Sequence, residues 1–405
     1  TQSTWGAQFK VWSHCSMNFV VKTWSCGKAR TGHFQPGNCP HTVETPSLLI
    51  PTRKGLPFFI PPDLLSSLQY PESALLQCSP LHFLGVLSAK TIKNIGGIHQ
   101  LVGFNELGFT CIAGDTIECH PQSKSSNKNG ASFDTPCGRQ FLKPAEYMEW
   151  IASLKPNMWT TLADELPAEA TLKRNKLSVD RTIKWLDECI SLSPGGVVLG
   201  AIVGGSNASE RKRCVSEISK RHVSGYWIAG FGFGEDIKES NMLLNCITDD
   251  LSEEKPRLIS GLESLDEILQ GVAAGIDLFY SSYTHRLTVD GYALTFSLDL
   301  KEWTEPFPMD SFFYINLRSK VYTKDCSPIS EKCGCYACRN HTKAYVHHLL
   351  NVNEMLYQTL LEIHNTYHYI GFFRMIRAAI KEQKFGIFRE KFVQKWIVAA
   401  HDVLI

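Results

Sequence analysis

The chain has 405 residues, 43% hydrophobic and 20% charged, with 41 Lys and Arg against 40 Asp and Glu for a formal charge of +1. This composition excludes disorder over most of the length, and the balanced charge excludes a dedicated, strongly basic nucleic-acid binder while leaving room for a local basic patch. No apolar run reaches the roughly 18 residues of a membrane-spanning helix, and the N-terminal segment lacks the continuous apolar core of a secretory signal.

Residues 1–16 carry no clear pattern and are expected to form an extension outside the fold, which opens near Met17 with a strand over 18–24. Turn residues crowd 27–52 and close on an apolar strand at 48–50. The polar Ser/Asn/Lys/Gly stretch 120–138 reads as an exposed loop. A regular alternation then begins: helix 144–154, strand 157–165 ending in acidic residues, and an amphipathic helix 177–192 with Ser178 or Asp180 available as its cap. Strand 197–203, helix 208–221, strand 224–231, helix 237–251, strand 257–262, helix 264–275 and strand 276–282 continue it. Short apolar strands alternating with amphipathic helices imply a parallel sheet. No Gly-rich phosphate fingerprint follows a first strand, so a closed α/β barrel is favoured over a doubly wound sheet. Helical signal runs almost unbroken from 342 to 380. The last 35 residues, 371–405, hold seven Lys and Arg against three Asp and Glu, the one noticeable basic excess in the chain.

The 14 cysteines divide unevenly. Ten are scattered from Cys15 to Cys246, Cys326 stands alone, and three fall within 333–338. A secreted disulfide scaffold would be smaller and evenly stapled, so the pattern predicts a reduced, cytosolic protein with one metal site. The Asn-x-Ser/Thr matches at Asn207 and Asn340 are then chance. Cys333, Cys335 and Cys338 follow a C-x-C-x-x-C spacing that repels three thiolates unless a cation holds them, and Zn²⁺ takes four N or S ligands tetrahedrally. Candidates for the fourth ligand are His341, His347, His348, His364, His368 and Cys326. His341 is too close for easy geometry. A helix packing back on the knuckle presents a histidine one helix length later, which favours His364. Four protein ligands make a structural site.

Cys333-x-Cys335-x-x-Cys338, with His364 placed 26 residues after Cys338, resembles the zinc signature of the tRNA-guanine transglycosylase family. Segments 27–34, 43–51, 225–235, 255–262 and 275–286 are similar to the family along most of the chain. The resemblance implies a TIM (β/α)8 barrel, here expected over 17–325, with a C-terminal zinc-binding helical subdomain over 326–405. It implies a chemistry in which the wobble guanine of certain tRNAs is exchanged for a modified base, and one structural Zn²⁺ on Cys333, Cys335, Cys338 and His364.

Departures from the family pattern change the expected role. Where catalytic members carry an aspartate nucleophile directly after a phenylalanine, this chain has Tyr280 after Phe279. A phenol titrating near ~10 is a poor substitute for a carboxylate. The family's Asp-Ser-Gly-Gly turn is not found, and a base-holding glutamine is replaced by Val203 before Gly204 and Gly205, with Ala229 and Gly230 in the next loop. Asp164 matches the aspartate that binds the heterocycle and is expected to be a remnant of the base pocket, or else a loop carboxylate or helix cap. No catalytic residue is assigned. The resemblance implies a non-catalytic subunit that dimerises with the catalytic subunit of queuine tRNA-ribosyltransferase, reaches tRNA through that complex, and is cytoplasmic or peripheral on the mitochondrial outer membrane. Self-association is a further partner expectation. The basic residues Arg374, Arg377, Lys381, Lys384, Arg389, Lys391 and Lys395 are expected to supply some phosphate contacts, or else to be the solvated faces of amphipathic helices. The alternatives are an autonomous base-exchange enzyme using Asp277, Asp164 or Glu235, and a zinc-stabilised scaffold with no tRNA role.

Overall fold

A computed structural model describes residues 17–401 except 69–71, 73, 194 and 305–312, with the side chains of 398–401 also left aside. The extension expected at 1–16 lies outside the described residues. Eight parallel strands form one sheet: β1 (Ser47–Leu49), β2 (Leu75–Cys78), β3 (Gly108–Cys111), β4 (Met158–Thr160), β5 (Val197–Ile202), β6 (Gly225–Ile228), β7 (Arg257–Ser260) and β8 (Leu278–Tyr280). From β2 to β8 each strand pairs with the next in sequence, and β8 pairs back with β1. A parallel bridge between Ile50 and Leu76, with Ile50 N–H donating to Leu75 O and Gln77 N–H to Ile50 O (both 2.9 Å), closes the ring. The expected barrel is therefore present. Every residue of β5, β6 and β7 is buried, as strands covered on both faces require.

The helices wrap the barrel where the periodicity puts them, with instructive differences at their ends. The helix after β4 spans Leu172–Ser191, not 177–192, and its cap is Thr171, whose Oγ1 accepts from Arg174 N–H at 3.3 Å. Ser178 is instead buried beneath it, donating to Asp164 O, and Asp180 pairs with Arg213 at 2.8 Å. The polar stretch 120–138 is not all loop. His120–Pro121, Ala131–Thr135 and Gly138–Leu142 form a three-stranded antiparallel sheet, because Ala131 and Phe133 bury 98% of their surface against the barrel.

The C-terminal helical run is broken once. Helices Lys343–Asn351 and Leu356–Lys381 are separated by a turn in which Asn353 takes a positive φ of 57°, a conformation asparagine tolerates better than most residues. Helix Leu356–Lys381 lies against β1 and the helix Tyr283–Asp290, so Tyr369, Phe372 and Phe373 join the main core. A second, smaller core gathers Leu317, Val346, Leu349, Leu360 and Leu361 around Cys333 and Cys335.

Basic residues of this region act mainly as ties. Arg374 and Arg377 both bind Glu72 (2.7 and 2.9 Å), Arg377 donates to Pro46 O, Lys381 binds Glu44 and Lys384 binds Glu382. The fold thus uses most of the charges that the sequence suggested for phosphate. Among the described residues no helix is long and apolar enough to cross a membrane.

Candidate metal centre and barrel mouth

The chain reverses at Gly334 so that three sulfurs face one imidazole. Cys335 caps the short helix Tyr336–Asn340, its Sγ accepting from Cys338 N–H at 3.3 Å, which brings Cys338 back over Cys335. His364 projects from helix Leu356–Lys381, and its Nδ1 lies 3.7, 3.5 and 3.3 Å from the sulfurs of Cys333, Cys335 and Cys338. The four donor atoms all lie within 4.8 Å of one another. A tetrahedral site with metal–sulfur and metal–nitrogen bonds of about 2.3 and 2.0 Å has sulfur–nitrogen separations near 3.6 Å, so the donors fit a single ion.

The surroundings point the ligands inward. His364 Nε2 is 2.7 Å from Leu294 O, so this nitrogen donates and Nδ1 keeps its lone pair for the metal. Asn365 holds the same strand end, its Oδ1 accepting from Leu294 N–H and its Nδ2 donating to Tyr292 O. Three sulfurs held this close repel one another as thiolates, and a cation among them offsets that repulsion. The other candidates are engaged or turned away. His347 Nδ1 is bonded to Leu317 O and His368 Nε2 to Phe296 O, His341 stacks on Tyr345, and His348 and Cys326 are exposed.

The opposite functional candidate is the mouth of the barrel, where the C-terminal strand ends meet. A cavity of about 230 Å³ opens there between Trp227, Phe231, Asp115, Glu165, Glu263 and Tyr280. Tyr280 is 2% exposed, and its hydroxyl, near Thr116, finds no hydrogen-bond partner of acceptable geometry. Burial pushes the phenol well above its ordinary pKa, and the Asp115 charge adds to this.

Every carboxylate close by is engaged. Asp115 Oδ2 meets His82 Nε2 at 2.6 Å while Oδ1 accepts from the backbone of Ile117, Glu118 and Cys119. Burial alone would raise its pKa, but the His82 bond and these amides outweigh burial and hold the carboxyl well below its usual range. His82, Asp115 and Cys119 form a second close group. Lys54 N–H donates to His82 Nδ1 at 3.4 Å, however, so both ring nitrogens are occupied and the group reads as a hydrogen-bonded turn. Glu165 accepts from Gly230 N–H at 2.8 Å, and burial raises its pKa to about 7. Burial also raises Glu263, which accepts from the Ser281 and Ser282 hydroxyls and the Ser282 amide.

Asp164 does not line this cavity. Its carboxylate is fully buried beneath two guanidiniums, bidentate with Arg174 (2.7 and 2.8 Å) and bonded to Arg181 at 3.1 Å, and it is Glu165 that faces the cavity. Asp277 is further still from the mouth, chelating Arg30 inside the barrel wall at 2.9 and 2.7 Å. Glu235 accepts from the amides of Gly232 and Phe233. The loops after β5 and β6 are locked by Arg211, which donates to the carbonyls of Gly205, Ala229 and Gly230 and stacks on Phe231 at 4.2 Å. Gly204 (φ 148°) lies so close that a Cβ there would meet the Arg211 backbone nitrogen at 2.7 Å.

A family model described as Queuine tRNA-ribosyltransferase matches residues 25–397. The chain belongs to that family. It is 33% identical over 393 residues to the human protein named Queuine tRNA-ribosyltransferase accessory subunit 2, covering 86% of this chain and 92% of that protein. Proteins of the same name from Xenopus tropicalis (32% identical, 87% and 93% covered) and Trichoplax adhaerens (32%, 93% and 100%) are similarly close. Within this family the mouth residues Asp115 and Glu263 escaped sequence reasoning. Each is a lone carboxylate just past a barrel strand, and that placement was the available signal.

Proposed function

We propose that this chain is the non-catalytic accessory subunit of a heterodimeric queuine tRNA-ribosyltransferase, pairing with the catalytic subunit and helping to position tRNA for exchange of its wobble guanine. The observation that carries this reading is the end of β8. Tyr280 stands there as a buried phenol whose pKa is raised by burial, the opposite of what a nucleophile needs. The carboxylates lining the cavity are held by an imidazole, hydroxyls or backbone amides, and Asp164 and Asp277 are bound by guanidiniums away from it. Asp164 acts in this reading as an anchor for Arg174 and Arg181, and no step of base exchange is assigned to the chain.

The metal is zinc, held by Cys333, Cys335, Cys338 and His364, because three thiolates and one imidazole in a closed tetrahedral set suit a structural zinc. When bound, it fixes the knuckle to helix Leu356–Lys381. In the same C-terminal region Val321, Val352 and Met355 are 74%, 57% and 75% exposed, apolar residues available to a partner subunit. Mixing the purified chain with the catalytic subunit should give one species at the mass of a 1:1 heterodimer by native mass spectrometry. Two separate subunits under the same conditions would refute the assignment.

A further inference from the structure

Several lysines along helix Leu172–Ser191 and the loop packed on it are left unused by the fold. The loop 122–130 runs along helix Leu172–Ser191 and is clamped to it through its own carbonyls. Arg174 Nη2 donates to Ser123 O (3.0 Å), Arg181 Nη1 to Ser126 O (3.0 Å) and Trp185 Nε1 to Lys128 O (3.4 Å). Both arginines pair with the one carboxylate of Asp164, whose buried position fixes loop and helix as one unit. Gly130 closes the loop where a Cβ would come within 2.4 Å of Leu142 O, so the backbone there has no room to shift.

Four ammonium groups project from this unit: Lys124 and Lys128 on the loop, Lys173 and Lys176 on the first turns of the helix. All four are exposed, and among the described residues none forms an ion pair. The acids on the helix are already taken, Asp180 by Arg213, Asp187 by Arg221 and Glu188 by Lys184. Glu169, the exposed acid just before the helix, lies toward Gly234 on the other side. Between Lys173 and Lys184 the helix rises about 16 Å; Lys173 and Lys176 stand at the mouth end of this ridge, just after the loop bearing Asp164 and Glu165, and Lys128, whose carbonyl meets Trp185, lies toward its far end.

We infer that this ridge is a phosphate-binding surface for RNA, with Lys124, Lys128, Lys173 and Lys176 contacting the sugar–phosphate backbone and fixing position without reading bases. The assignment rests on the accessory-subunit reading. It moves the RNA contact away from the C-terminal basic segment, where Arg374 and Arg377 are tied to Glu72. A membrane surface fits the ridge less well. The solvent face of the helix offers Leu172 and Leu177 as its large apolar side chains, 63% and 41% exposed, and interfacial helices need a continuous apolar face.

The test compares the reconstituted heterodimer with one whose accessory chain carries K124Q, K128Q, K173Q and K176Q, measuring tRNA affinity across a salt series. The variant should bind about tenfold more weakly at ~0.1 M salt, with a log–log salt slope shallower by about 3. A chain with K90Q, K93Q, K238Q and K301Q loses the same charge elsewhere and should change affinity less than about threefold. Equal affinity and slope for wild type and the ridge variant, both folded by their melting midpoints, overturn the inference. So does loss of binding to phosphatidylserine vesicles with tRNA affinity intact. Absence of any heterodimer, seen separately by native mass, would overturn the accessory reading beneath it and this assignment with it.

Discussion

Replacing Cys335 by serine is expected to strip the metal from the chain and to melt the region around it. Cys335 is fully buried, contributes one of three sulfurs to the cluster and caps helix Tyr336–Asn340 with the same atom. A hydroxyl is a weak zinc ligand, and the two remaining thiols would be left close to each other without a cation. In small zinc domains the metal supplies about 10–16 kcal/mol of folding free energy. Here the second core of Leu317, Val346, Leu349, Leu360 and Leu361 supports the same residues, so the expected loss is smaller, on the order of 4–5 kcal/mol. Metal analysis should fall from about one zinc per chain to near zero. Hydrogen exchange should accelerate first in Tyr336–Asn340 and Lys343–Asn351, while the barrel strands stay protected. Unchanged metal content in the serine variant would refute the site.

Asp277→Ala should be the most damaging change in the barrel wall. Arg30 and Asp277 are both completely buried, and the carboxylate also accepts from Arg257 N–H at 2.9 Å. Arg30 further donates to the carbonyls of Glu253 and Lys255, stitching the strand Arg30–Gln35 to the loop before β7. Removing the carboxylate strands a guanidinium next to Arg257, whose own pKa is lowered to about 10 by burial and then by the Arg30 charge. Breaking a buried pair in this way costs about 3–5 kcal/mol. The double substitution Arg30→Met with Asp277→Leu should recover much of the loss, since it removes both charges rather than one. Denaturant midpoints of the three variants decide this. A loss below about 1 kcal/mol for Asp277→Ala would mean that the pair does not hold the wall, and would reopen a chemical role for Asp277.

The barrel was legible because its signal is local. Apolar runs such as 197–203 and 257–262, each followed by an amphipathic helix, need no knowledge of distant partners. The knuckle was legible for the same reason, with three cysteines in six residues. Illegible were the features whose partners lie far along the chain. Arg374 looks like a free cation until Glu72, 302 residues away, is brought against it. Asp164 reads as a pocket residue until the helix is seen to start at Thr171, which aims Arg174 and Arg181 at its carboxylate. The polar loop at 120–138 conceals a hairpin because only Ala131 and Phe133 carry its buried face.

Base exchange itself tests the central claim most directly. Labelled queuine incorporation into tRNA should be measured with this chain alone, with the catalytic subunit alone, and with both at equal concentration. The chain alone is expected to incorporate nothing above background, and adding it to the catalytic subunit is expected to raise incorporation at least tenfold. Incorporation by the chain alone that persists in Tyr280→Phe, or a catalytic subunit whose activity is indifferent to this chain, would contradict the assignment.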